Sequence, residues 1–94
     1  MIEIETEVLE QVEIEHKTRV DHLRSLVVYN DDVNTFDHVI NSLVKVCKHE
    51  LIQAEQCTWI VHYNGKCAVK SGEFKELRPL RKALNERGLT AKIH

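Results

Sequence analysis

Ninety-four residues supply one small domain with a modest core and little chain for a deep cleft plus a full catalytic apparatus. With 43% hydrophobic and 30% charged residues the composition is that of an ordinary globular chain, not a disordered one. The net charge of -2 offers no basic field for phosphate backbones, so no nucleic-acid partner is expected.

No apolar run reaches about eighteen residues, and no cationic start leads into an apolar h-region. Neither a membrane span nor a secretory signal is therefore visible, and a cytoplasmic protein is expected. The three cysteines, Cys47, Cys57 and Cys67, are odd in number and widely spaced without a C-x-x-C pair. That suits free thiols in a reducing compartment better than a disulfide framework or zinc ribbon.

Residues 1–23 differ in character from the remainder of the chain. Glu3, Glu5, Glu7, Glu10, Glu13 and Glu15 punctuate Ile2, Ile4, Val8, Val12 and Ile14 with no Gly, Pro or clean cap. Acidic self-repulsion and terminal position predict a mobile extension, leaving residues 24–94 as the core domain.

Ser25 to Tyr29 is a dense apolar and β-branched run that reads as a buried strand. It ends in Asn30, Asp31 and Asp32. A helix follows from about Thr35 to Cys47, with Asn34 as the expected N-cap and Asp37 near the positive helix end. Its apolar stripe is Phe36, Val39, Ile40, Leu43, Val44 and Cys47.

A second helix is expected from about Leu51 to His62, with Ile52, Ala54, Cys57, Thr58, Ile60 and Val61 available for burial. Asn64-Gly65 stops it. Lys66 to Lys70 alternates as a short strand. The third helix carries Phe74, Leu77, Leu80, Ala83 and Leu84 on one stripe and ends at Gly88. Because Pro79 lacks an amide and clashes with the carbonyl four residues back, that helix is expected to begin near Lys75 or later. Leu89, Ala91 and Ile93 alternate in a last strand. The fold class is α+β in the order β-α-α-β-α-β, a three-stranded sheet with three helices on one face, because each apolar stripe needs one surface to cover. No oligomeric seam is evident, so a monomer is expected.

Three residues could meet at one rim of such a domain: Asn30 and Asp32 at the strand exit and His62 in the last turn of the second helix. An amide oxygen, a carboxylate and an imidazole nitrogen are three acceptors, and an ammonium group carries three N–H donors. Their convergence suggests a primary amine as ligand. The plainer alternative is that Asn30 and Asp32 cap turns while His62 packs its ring. A rival chemistry makes Asp31, Asp32, His38 and His62 the ligands of a small metal-dependent hydrolase or metal sensor. No H-x-x-x-H or H-E-x-x-H pairing supports it. Neither a Gly-x-Ser-x-Gly elbow nor a glycine-rich phosphate loop is present. An enzyme is therefore not expected, and neither is a cofactor. A domain that only docks onto a larger assembly stays open.

The stretch Leu26-Val27-Val28-Tyr29-Asn30-Asp31-Asp32-Val33-Asn34-Thr35-Phe36, then Val61-His62-Tyr63-Asn64-Gly65-Lys66-Cys67, then the Leu89 strand, resembles the ClpS adaptors of AAA+ Clp proteases. The likeness covers about Ser25 to His94. It implies the fold shared by ClpS and the ribosomal stalk C-terminal domain, preceded by a mobile arm that enters the ATPase during delivery. It also implies recognition of N-degrons, with Asn30, Asp32 and His62 holding a substrate's free α-amino group. Phe36, Val39, Thr58, Val61 and Leu89 would then wall a pocket for a bulky apolar first residue. The implied partners are N-degron substrates and a Clp ATPase of ClpA or ClpC type. The chain departs from the family pattern at Phe36, where a methionine is common, at Thr58, where a larger apolar residue is frequent, and across Lys75 to Leu80, the ATPase-contacting face.

Overall fold

A computed structural model describes residues 23–94. The extension expected over residues 1–23 lies outside them, Leu23 aside. Strand β1 (Arg24–Tyr29) runs between β2 (Lys66–Gly72) and β3 (Thr90–Ile93), antiparallel to both, in the order β2-β1-β3. Helices α1 (Phe36–Cys47), α2 (Leu51–Asn64) and α3 (Phe74–Glu86) complete the expected β-α-α-β-α-β order.

The central strand forms because its alternate residues have somewhere to go. Leu26 and Val28 are almost fully buried and share one core cluster with Leu43, Val61, Leu77, Leu84 and Ala91. Burying such side chains contributes roughly 1.5–3 kcal/mol each, the main stabilising contribution in a domain this small. A bulge between Leu26 and Val27 leaves Val69 of β2 without an opposite residue. The carbonyl of Val69 instead accepts from His49 Nε2–H at 2.6 Å, which ties the α1–α2 connection to the sheet. His49 is buried, and its Nδ1 has no partner among the described residues.

Helix α1 is capped by Thr35, not by Asn34 as expected. The Thr35 hydroxyl accepts from the His38 amide at 3.1 Å, whereas Asn34 is drawn into the preceding turn. In α2 only Ala54, Thr58 and Val61 are buried. Ile52 and Ile60, expected inside, are 64% and 41% exposed because they fall off that i, i+4, i+7 stripe.

Helix α3 starts at Phe74 and carries Pro79 inside it, contrary to the later start expected. The Glu76 and Leu77 amides donate to Glu73 O and open the helix before the proline is reached. Pro79 lies on the exposed side, and burial of Leu77 and Leu84 offsets its missing bond. Phe74 is half exposed rather than core, with the Arg81 guanidinium 5.9 Å over its ring.

All three cysteines are free. Burial pushes the Cys47 thiol up to about 11, and burial with the neighbouring Cys57 thiol does the same to Cys67.

Two helix ends turn through the left-handed region with opposite residue choices. Lys48 closes α1 at φ 58°, and Gly65 closes α2 at φ 88°. A side chain costs about 1–2 kcal/mol there and glycine does not. In urea unfolding, Gly65→Ala should destabilise the domain by about 1 kcal/mol, and Lys48→Gly should stabilise it by up to about 1 kcal/mol. Shifts of the same sign in both variants would contradict this assignment of backbone strain.

Candidate functional site

The exit of β1 lies against the end of α2. Gly65 returns its amide to Val61 O at 2.9 Å, and its carbonyl accepts from the Asn30 amide at 2.8 Å. One residue on, Lys66 pairs with Tyr29. Asn30 and the last helical turn, where His62 stands, are therefore joined through backbone bonds.

Asn30, Asp32 and His62 all line one cavity of about 300 Å³ between β1, α1, α2 and Leu89 just before β3. Each of the three is exposed, and among the described residues none of their side chains has a hydrogen-bond partner. Phe36, Val39, Thr58, Val61 and Leu89 line the same cavity, joined by Val28. Val28, Val39, Thr58, Val61 and Leu89 are buried, so the wall is apolar apart from the Thr58 hydroxyl and the mouth is polar.

The two adjacent aspartates have different fates. Asp31 Oδ1 accepts from the Val33 and Asn34 amides at 2.9 Å each, and its Oδ2 accepts from Asn34 Nδ2 at 2.7 Å. Asn34 Nδ2 also donates to Gly88 O at 2.9 Å, which brings the residue before Leu89 to the turn. Asp31 is thus a turn-maker, whereas Asp32 is exposed and its carboxylate has no hydrogen-bond partner among the described residues. His38 is engaged too, with Nε2–H donating to Arg87 O at 2.7 Å.

These bonds engage two of the four residues of the metal-site reading on Asp31, Asp32, His38 and His62. Asp31 and His38 are committed to the scaffold. Among the described residues, no three His, Cys, Asp or Glu side chains are placed to share a metal ion.

Phe36 does not fill the cavity. Its ring stands edge-on to Trp59, with centroids 4.9 Å apart, and to His62 at 5.0 Å. Trp59 stacks in turn on Tyr63 at 5.4 Å. This aromatic rim orients the His62 ring without using its nitrogens. Sequence pattern alone does not decide Trp59 and Tyr63 between core and binding roles; the 59, 62, 63 spacing along one helical face is the available signal.

A family model described as ATP-dependent Clp protease adaptor protein ClpS matches residues 20–92. The chain belongs to the ClpS family. Among solved structures it resembles Agrobacterium tumefaciens ClpS2 bound to L-phenylalaninamide. The TM-score is 0.67 and the identity 18%, over 78% of this chain and 95% of that one. That likeness supports the fold. No curated protein sequence matches. Adaptors of this family act through binding, and no described helix is long and apolar enough to cross a membrane.

Burial works to raise the Asp31 carboxyl, but the hydrogen bonds from Asn34 and Val33, with the nearby His38, outweigh it and hold it below its ordinary value. A carboxyl with a depressed folded pKa stabilises the fold above its unfolded pKa. That contribution disappears as pH falls through the folded value. Asp31→Asn should therefore be less stable than the parent near neutrality, with the gap closing between about pH 5 and about pH 2. An unchanged gap across that range in chemical denaturation would count against the turn.

Proposed function

We propose that this ClpS-family chain is an N-degron adaptor that binds polypeptides by a free α-amino group and a bulky apolar first residue. It then delivers them to a Clp ATPase of ClpA or ClpC type, acting as a cytoplasmic monomer. The observation that carries the reading is the pairing of three acceptors unengaged among the described residues, Asn30, Asp32 and His62, with a buried, mostly apolar wall in one cavity. Asp32 supplies the opposite charge for the ammonium group, while the Asn30 amide oxygen and a ring nitrogen of neutral His62 supply direction. Val39, Val61 and Leu89 offer apolar surface to the first side chain. Phe36 stands at the edge of that surface. The phenylalaninamide bound to the structurally similar ClpS2 has the same two features, a free amine and an apolar side chain.

Acetylating the substrate removes the ammonium charge and leaves Asp32 facing a group that cannot satisfy it. Free Leu- or Phe-initiated peptides should bind at least about tenfold tighter than their acetylated forms, since hydrogen bonds to charged groups contribute roughly 1.5–3 kcal/mol. Equal affinity for the two forms in a fluorescence titration would overturn the proposal. Asn30→Ala and His62→Ala should each weaken binding of the free peptide by about tenfold while the unfolding midpoint stays close to the parent's. Binding untouched by both substitutions would favour a domain that only docks onto a larger assembly.

A further inference from the structure

The cavity wall holds one buried polar side chain. Val28, Val39, Val61 and Leu89 are apolar, and Thr58, 2% exposed, stands among them. Its hydroxyl donates to the Ala54 carbonyl one helical turn back at 2.7 Å. A hydroxyl has one proton and two lone pairs. With the proton committed along the helix, Oγ1 can only accept.

We infer that Thr58 is a specificity-determining residue that accepts a hydrogen bond from the first side chain of the bound polypeptide, favouring tyrosine and tryptophan over phenylalanine and leucine. The inference rests on the reading that this cavity receives that side chain. A tyrosine hydroxyl or an indole N–H brings a donor into an apolar enclosure, where leaving it unpaired is costly. The other buried side chains of the wall carry no hydrogen-bonding atom. Thr58 offers the matching acceptor without rotating, because the bond to Ala54 already sets its rotamer.

The preference is graded. Thr58 is already satisfied through its own proton, so a phenylalanine beside it leaves only a spare lone pair without a donor, and phenylalanine is accepted with lower affinity. A net neutral hydrogen bond corresponds to about a 2- to 10-fold difference in affinity.

The test is a titration of the full chain with peptides that differ only in a first residue of Tyr, Trp, Phe or Leu, each free and acetylated. The parent is compared with Thr58→Val, which keeps the shape and removes the oxygen, and with Thr58→Ser, which keeps the oxygen. The parent should bind the Tyr peptide about 2- to 10-fold tighter than the Phe peptide. Thr58→Val should bring that ratio to one or below, and Thr58→Ser should retain it. Because each ratio is taken within one protein, a general loss of stability or pocket volume does not imitate the effect. A Tyr-to-Phe ratio equal in parent and Thr58→Val overturns the role of Thr58 and leaves the adaptor reading standing if free peptides still beat acetylated ones. Loss of that amine dependence in the parent overturns both.

Discussion

The approach of the β1 exit to the last turn of α2 rests on a backbone bond from the Asn30 amide to the Gly65 carbonyl. Gly65 can reverse the chain after α2 because it adopts φ 88° without a side-chain penalty, and the next residue enters β2 beside Tyr29. An antiparallel pair that begins one residue after a helix stop must bring the exit of its partner strand against the last turn of that helix. The approach of Asn30 to the turn of His62 is therefore a property of the topology. The polar mouth can carry acceptors that take no part in holding the domain together.

A second set of bonds shapes the opposite side. Asp31 gathers the Val33 and Asn34 amides and the Asn34 side chain, and Asn34 reaches across to Gly88 O. His38 donates to Arg87 O close by. These contacts fasten the α3–β3 connection to the β1 exit and bring Leu89 into the cavity wall. Polar residues near the site thus divide into those spent on scaffold, Asp31, Asn34 and His38, and those exposed with no side-chain hydrogen bond among the described residues, Asn30, Asp32 and His62. The division leaves Asn30, Asp32 and His62 as the polar side chains at the cavity mouth that are unengaged among the described residues.

Much of the architecture was legible in the sequence because local pattern and tertiary demand agree. The dense apolar run of Ser25 to Tyr29, the Val39–Leu43–Cys47 stripe and the Asn64-Gly65 stop each predict what forms. The failures come where a longer-range contact wins. Asn34 is a good N-cap by type, but Asp31 and Gly88 take its side chain and the cap passes to Thr35. Pro79 argues for a late helix start, yet Leu77 and Leu84 need the helix that spans it. No local rule separates Asp31 from Asp32, which are adjacent and chemically identical; only the fold shows which one is consumed. The place of Leu89 in the wall was available from family resemblance alone, because its link to the site runs through Asn34, some fifty positions away.

The central claim is a place for one nitrogen atom, and a structure of the protein bound to a peptide with a free N-terminal leucine tests it most directly. In that complex the peptide's α-nitrogen should lie within about 3 Å of Asn30 Oδ1, an Asp32 carboxylate oxygen and a His62 ring nitrogen, with the leucine side chain against Val39, Val61 and Leu89. An α-nitrogen directed into solvent, or a peptide seated outside this cavity, would contradict it.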